Sequence, residues 1–333
     1  MLNGKFLFMI KLNIVIPTYN RPTELENTLK SLVNLYHNVE VDVSINVLIN
    51  FHSRTDSAHY LSMFEGFLLK TGITIGYSFN RINVGGSANV LRALEVCSDS
   101  DWTWVLSDDD ELVSGFEDIL VKQIRDSRNN ISCIKFDSNL YGNIKEGFRV
   151  NNVNDVFVNN HMCHDYFSNL LFLSNYCFRT EHLSEYMIGA YRYVGSFGPQ
   201  LFMMLLMVKG GNSVYFSSKR IVNSKITQSG GWNGTIVHNS LYEHFRISDI
   251  GLSRKAILNI RSALFNESYG KGILGRYLRA RDQYEPSCLR RLIFGDATYG
   301  IFVRISLWVL ERVLPIFSGI LDYKKESGSQ SRF

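Results

Sequence analysis

Asp108-Asp109-Asp110-Glu111 sets four carboxylates side by side. They follow Trp102-Thr103-Trp104-Val105-Leu106, an apolar stretch that reads as a buried strand running into Ser107. Carboxylates crowded at a strand end repel one another and lose hydration if any is buried. A divalent cation would neutralise them, and hard oxygen ligands favour Mg2+ or Mn2+ over zinc. Such a metal usually carries substrate phosphates in its remaining positions. The tetrad therefore points to a nucleotide or diphosphate at the carboxyl edge of an open α/β sheet. A solvated acidic turn is the competing reading.

Two other segments have to position that chemistry. Leu12-Asn13-Ile14-Val15-Ile16-Pro17-Thr18-Tyr19-Asn20-Arg21-Pro22 reads as a strand closed by a turn. A helix from Glu24 to Leu35 follows, with Leu25, Leu29, Leu32 and Val33 at helical spacing and Thr23 or Asn20 as its cap. Asn80 to Asn89 contains Gly85-Gly86 ahead of a second helix, Val90 to Val96. Its glycines allow close backbone approach, and a helix start offers N–H groups to phosphate. Ile45 to Asn50 and Ser132 to Asp137 read as further strands, and Asn151 to Asp165 as a polar connection. The Met- and Leu-rich stretch from Phe202 to Val208 reads as a core helix.

Val15-Ile16-Pro17-Thr18-Tyr19-Asn20-Arg21, then Asn83-Val84-Gly85-Gly86 with Asn89, then Leu106 to Leu112 resemble family 2 glycosyltransferases of the GT-A fold. The resemblance is strong over residues 11–113 and extends weakly to about 223. Within that family the chain is most similar to the abequosyltransferase type of O-antigen biosynthesis. The resemblance implies a Rossmann-like mixed sheet flanked by helices. It also implies that Pro17, Thr18, Tyr19 and Arg21 contact the donor nucleotide. His52, Asn83, Gly85, Gly86 and Asn89 would complete the donor wall, with Asn83 and Asn89 shaping it as turn and helix-start residues. Asp108 and Asp110 match the DxD motif, with Asp108 and Asp109 on the nucleotide side and Asp110, with Asp108, on Mn2+ or Mg2+.

The chain departs from the family pattern at two places. Relatives close the second strand with an aspartate that accepts the uracil N3 hydrogen, and here Phe51-His52-Ser53 stands there. Cytosine N3 is an acceptor, so a neutral His52 or the Ser53 hydroxyl would suit a CDP-linked deoxysugar. A backbone carbonyl reading the base while Phe51 packs is the alternative. Inverting relatives also carry a catalytic aspartate where this chain has Gly195-Ser196-Phe197-Gly198-Pro199-Gln200-Leu201-Phe202. General-base catalysis typically contributes ~10²–10⁴-fold. Asp165, Glu181 and Glu185 are the substitutes to test, or the reaction proceeds with retention.

The chain has 333 residues, a net charge of +4 and five cysteines without framework spacing. That size holds one large α/β domain with a helical appendage, or two modest domains. The odd, scattered cysteines favour reduced thiols. Residues 1–8 read as a dispensable leader. From Arg276 onward ten Lys/Arg face six Asp/Glu, so the tail carries the whole excess charge. The tail's apolar runs fall short of the ~20 residues that a spanning helix needs. A basic, Trp308-bearing amphipathic segment instead suits an anionic membrane surface.

The expected plan is a glycosyltransferase domain over 9–240, with a donor half at 9–113 and an acceptor half at 114–240. A helical membrane-associating region at 241–325 and a disordered tail at 326–333 follow. The expected activity moves a (deoxy)hexose, such as abequose from CDP-abequose, to a polyprenyl-diphosphate-linked oligosaccharide in lipopolysaccharide biosynthesis. It would act at the cytoplasmic face of the bacterial inner membrane and bind no nucleic acid. The alternative is a non-catalytic sugar-nucleotide-binding subunit of a glycan assembly complex.

Overall fold

The computed structural model describes residues 9–50, 54–96, 99–127, 131–139, 144–158, 164–223, 244–245, 249–265 and 309. It divides into two compact units, 1–264 and 265–333. Of the second unit, only Phe265 and Val309 are among the described residues. The tail readings, including Trp308 and residues 326–333, therefore lie outside them, as do residues 1–8. Among the described residues, no helix is long and apolar enough to cross a membrane.

In chain order the first unit runs β1 (Ile10–Thr18), α1 (Pro22–Ser31), α2 (Val33–Tyr36), β2 (Val41–Ile49), α3 (Arg54–Thr71), β3 (Ile75–Phe79) and α4 (Gly86–Glu95). Next come β4 (Trp102–Val105), β5 (Glu111–Leu112), α5 (Phe116–Asp126), β6 (Ile131–Lys135), β7 (Phe148–Val150), α6 (Asp155–Val158) and α7 (His164–Asn169). A 3-10 turn at Leu173–Asn175 leads to β8 (Tyr176–Arg179), α8 (Thr180–Tyr191), a second 3-10 turn at Val194–Ser196, α9 (Pro199–Lys209), β9 (Ser213–Phe216) and β10 (Val222–Asn223). The described helix Arg254–Phe265 closes it.

Eight strands form one mixed sheet in the order β3-β2-β1-β4-β8-β6-β9-β7. β3, β2, β1 and β4 are mutually parallel. β1 is buried at every position except Lys11, as a central parallel strand covered on both faces must be. β8 runs antiparallel to both β4 and β6. β5 and β10 pair as a separate antiparallel ribbon.

Alternation along the strands sorts the two faces. Leu12, Ile14 and Ile16 of β1 and Trp102, Trp104 and Leu106 at β4 join one core with Leu25 and Leu29 of α1, Phe64 of α3 and Leu120 of α5. α4, α8 and α9 pack together, with α4 against β1, β2 and β4. From Pro199 through Val208, α9 is buried at every position but Leu206, so it needs no polar face.

Several local expectations are corrected. The first helix begins at Pro22, which supplies a pre-set φ at N1, and neither Thr23 nor Asn20 caps it. Asn20 instead adopts a left-handed φ of 55°, which its short polar side chain tolerates. Leu32 breaks the expected Glu24–Leu35 helix into α1 and α2. The Val90–Val96 helix starts earlier, at Gly86, after Gly85 at φ 81°. That left-handed turn favours glycine. The polar connection from Asn151 to Asp165 contains α6 and the start of α7.

Candidate active site

β1 and β4 are parallel neighbours, and the strand order reverses at them: β2 and β3 lie on one side of β1, β4 on the other. Open α/β sheets bind ligands in the crevice at such a switch point. Both signature segments hang there. The Thr18 hydroxyl donates to Asp108 Oδ2 at 2.6 Å across the two strand ends. Thr28 of α1 donates to the Asp108 carbonyl at 2.9 Å. Arg21 Nη1 reaches Asp108 Oδ1 at 3.3 Å and Asp109 Oδ2 at 2.5 Å. Ser107 holds the other oxygen of Asp109 at 2.7 Å.

Asp110 is tied to the second half of the domain. Ser174 Oγ donates to Asp110 Oδ2 at 2.5 Å and accepts the Ser107 N–H at 2.8 Å. The Ser174 carbonyl accepts the Trp104 indole N–H at 2.8 Å. Glu111 leaves the cluster's turn and enters β5, opposite Asn223.

The electrostatics show a deficit of positive charge. Burial, with the neighbouring charge of Asp109, pushes the Asp108 carboxyl up to about 6, even though Thr18 and Arg21 pull the other way. The Arg21 guanidinium loses hydration, yet Asp108 and Asp109 together hold its pKa above the ordinary value. A further cation at this edge would relieve the carboxylates, so the donor set fits Mn2+ or Mg2+. Among the described residues no three His, Cys, Asp or Glu side chains form a ready metal cage.

Beside the tetrad, an asparagine network joins the strand ends to the start of α4. Asn50, just past β2, donates to Asn83 Oδ1 at 2.8 Å and accepts the Val84 N–H at 3.1 Å. Asn83 Oδ1 also accepts the Gly85 N–H at 2.9 Å, which closes the turn into α4. Asn80 Nδ2 bridges Asn50 Oδ1 and Asn89 Oδ1 at 3.2 and 2.7 Å. Asn89 Nδ2 reaches the Thr18 carbonyl at 3.3 Å. The ends of β1, β2 and β3 and the start of α4 are thus locked together. Pro17 is buried and Tyr19 is exposed beside them. Phe51, His52 and Ser53 lie outside the described residues.

The substitute bases separate by position. Register pairs Trp102 with Arg179, so α8 begins at the amino edge of β4, opposite the tetrad. Glu181 is exposed in the first turn of α8, and Glu185 bonds to Tyr186, whose hydroxyl accepts from Asn212 just before β9. Both glutamates therefore face the wrong edge to act at the tetrad. Asp165 stands on α7, whose last residue, Asn169, reaches the carboxyl edge; its own side chain lies outside the described residues. The Gly195–Phe202 stretch forms a left-handed turn at Phe197, φ 59°, into α9. Gln200 there is buried and donates to the Leu171 carbonyl at 2.8 Å.

Sequence reasoning missed Asn50, Asn80, Thr28 and Ser174. It missed a further cluster at the end of β6 too. Lys135, fully buried, donates to the Phe136 carbonyl at 2.7 Å and to Asn169 Oδ1 at 2.9 Å. Asn169 in turn donates to Asp137 at 3.0 Å. Burial pushes the Lys135 ammonium down to about 7 despite Asp137 nearby.

Solved structures share this architecture. S. aureus TarS 1-349 in complex with UDP-GlcNAc is similar over 85% of this chain and 79% of its own, at 14% identity and a TM-score of 0.56. The mannosyltransferase PcManGT from Pyrobaculum calidifontis, in complex with GDP-Man and Mn2+, is similar over 96% of this chain and 84% of its own, at 11% identity and a TM-score of 0.54. At such identities the likeness concerns the fold, a GT-A mixed sheet flanked by helices. No curated protein sequence matches the chain. Residues 13–173, just under half of the chain, match the Glycosyl transferase family 2 profile. That stretch runs from β1 to the turn before β8 and includes both Thr18–Arg21 and the tetrad, so the part of the chain that is similar to this family is the part that builds the crevice.

Proposed function

We propose that the protein is a metal-dependent glycosyltransferase that moves a (deoxy)hexose from a nucleotide-sugar donor to a hydroxyl on a lipid-linked oligosaccharide. The observation that carries this reading is the crevice between β1 and β4. There Thr18 and Arg21 meet Asp108 and Asp109 at the switch point of the sheet. Asp110, with Asp108, would hold Mn2+ or Mg2+. When bound, the metal stabilises negative charge on the departing diphosphate. The asparagine network fixes the wall on which the nucleoside lies, and the Gly85–Gly86 turn brings the start of α4 towards the phosphates. Ser174 fixes Asp110 from the acceptor side.

The neighbours' complexes hold UDP-GlcNAc and GDP-Man. Phe51, standing where relatives read uracil, favours a cytidine diphosphate donor for this chain. An O-antigen or lipopolysaccharide acceptor, such as a polyprenyl-diphosphate glycan receiving abequose, matches the basic, apolar tail and a place on the inner-membrane surface. Incubation with a panel of nucleotide sugars and Mn2+ or Mg2+ tests the activity, with donor-specific, metal-dependent hydrolysis or transfer expected. Calorimetry tests the base: one unmade hydrogen bond is worth ~1–3 kcal/mol, so CDP should bind roughly 5- to 150-fold tighter than UDP. UDP binding as tightly as CDP would remove the cytidine assignment. Deleting residues from Arg290 onward should release the protein from anionic liposomes in flotation, and unchanged partitioning would reject the membrane role.

A further inference from the structure

We infer that Arg21 is a resident counter-cation of the Asp108–Asp109 pair, that it competes with the divalent metal, and that a donor diphosphate relieves the competition by taking its guanidinium. This rests on the donor-site reading above and adds the coupling between metal and donor to it.

The contacts around the pair are specific. Thr18 holds one oxygen of Asp108, and Ser107 holds one oxygen of Asp109. Arg21 Nη1 takes the remaining oxygen of each. One guanidinium therefore spans both carboxylates, where a metal on Asp108 and Asp110 would bring a second positive charge within a few ångströms. Two cations so close repel, and the low local hydration strengthens the effect.

The side chain is placed to move. The two carboxylates are 6% and 17% exposed, whereas the Arg21 side chain is 34% exposed and sits on the solvent side of the pair. Its backbone is fixed independently: the Arg21 N–H donates to the Tyr60 hydroxyl at 3.1 Å, and Pro22 starts α1 directly after it. The guanidinium can thus exchange partners without disturbing β1 or α1. A diphosphate offers it the bidentate geometry for which a planar fork is suited. Once Arg21 turns to the phosphate, the carboxylates are left to the metal. Metal and donor then strengthen each other's binding, and by linkage the coupling is reciprocal.

This predicts opposite signs from a single substitution. In Arg21→Gln, Mn2+ alone should bind tighter than in the wild type, by ~3- to 30-fold, the scale of one charge removed from a partly exposed site. CDP or UDP should bind more weakly to the same variant. The tightening of Mn2+ by added diphosphate should be smaller than in the wild type. Mn2+ binding is read by electron paramagnetic resonance of the free ion, and the melting temperature is followed in parallel. Arg21→Lys keeps the charge and should leave Mn2+ affinity within about threefold of the wild type. If Mn2+ binds the wild type, and Arg21→Gln binds it equally or more weakly while remaining folded, the competition is refuted and the donor-site reading stands. Should Arg21→Gln not fold, a clear rise in Mn2+ affinity in Arg21→Lys refutes it instead. If Mn2+ binds neither protein, with or without diphosphate, the donor-site reading falls and the inference with it.

Discussion

At the end of β4, Asp108 and Asp109 share the guanidinium of Arg21, and burial still pushes Asp108 up to about 6. Two strands along the same edge, at the end of β6, Lys135 and Asp137 are joined through Asn169 and sealed from solvent. The registers Val105–Tyr176 and Tyr176–Lys135 set the clusters level, roughly 10 Å apart at ordinary strand spacing. At the first cluster Asp108 is buried while Arg21, Asp109 and Asp110 are partly exposed, and negative charge exceeds what Arg21 supplies. The second is closed, with one potential cation facing one potential anion. Charge left in excess at an accessible edge calls for a ligand, whereas charge matched and sealed holds the chain together. Lys135 and Asp137 anchor α7 and the segment at Ile144 rather than facing a substrate.

Replacing one group in each cluster separates the two roles. Asp110→Asn should lower metal-dependent turnover by ~10³-fold or more, because it removes a group placed to stabilise developing charge through the metal. The melting temperature of the metal-free protein should hold or rise, since carboxylate repulsion is relieved. Near-normal turnover at saturating metal would erase the distinction between the clusters.

Lys135→Met should do the reverse and act on stability. The folded pKa of Lys135, about 7, lies below its unfolded value near 10. Between those values the unfolded chain binds the extra proton, so the wild type loses stability as pH falls from about 10 to about 7. Below that window both states carry the proton, and the loss is complete. The methionine variant lacks this loss, so its stability relative to the wild type should improve across the window by on the order of 4 kcal/mol. The buried thiols of Cys133 and Cys177, both pushed up by burial, act with the opposite sign in both proteins and largely cancel in the difference. Denaturant titrations at pH 7 and 10 that give the same gap would mean that Lys135 stays charged in the fold.

The same contrast explains what the sequence made legible. The tetrad is four adjacent letters behind an apolar strand, and the Thr18–Arg21 turn follows a strand closed by prolines, so local pattern suffices for both. Gly85-Gly86 likewise marks the turn into α4, although the helix already begins at Gly86, where Asn83 closes the turn onto the Gly85 N–H. Asn50 and Asn80 carry no such local mark. They matter because parallel pairing brings the ends of β2 and β3 together, a fact of topology rather than of spacing. Lys135, Asp137 and Asn169 are scattered for the same reason. The position of Glu181 and Glu185 is hidden for a like reason: β8 runs antiparallel to β4, which the sequence does not announce, and α8 therefore starts at the far edge.

Ser174 ties Asp110 to the segment that leads into β8, and it gives the smallest test. Its hydroxyl is spent twice, donating to Asp110 and accepting from the Ser107 N–H, while its own backbone carbonyl is held by Trp104. The serine therefore sets the direction of the Asp110 carboxylate without being placed to touch the metal. Groups that orient a metal-ligating carboxylate typically cost 10–100-fold in metal affinity when removed. Ser174→Ala should weaken Mn2+ binding by about that factor, and Ser174→Thr, which keeps the hydroxyl, should recover most of it. A purely structural serine would give a different pattern, with alanine and threonine lowering the melting temperature and Mn2+ affinity following stability alone. Should Ser174→Ala bind Mn2+ as tightly as the wild type, the Ser174 hydroxyl does not set the direction of Asp110.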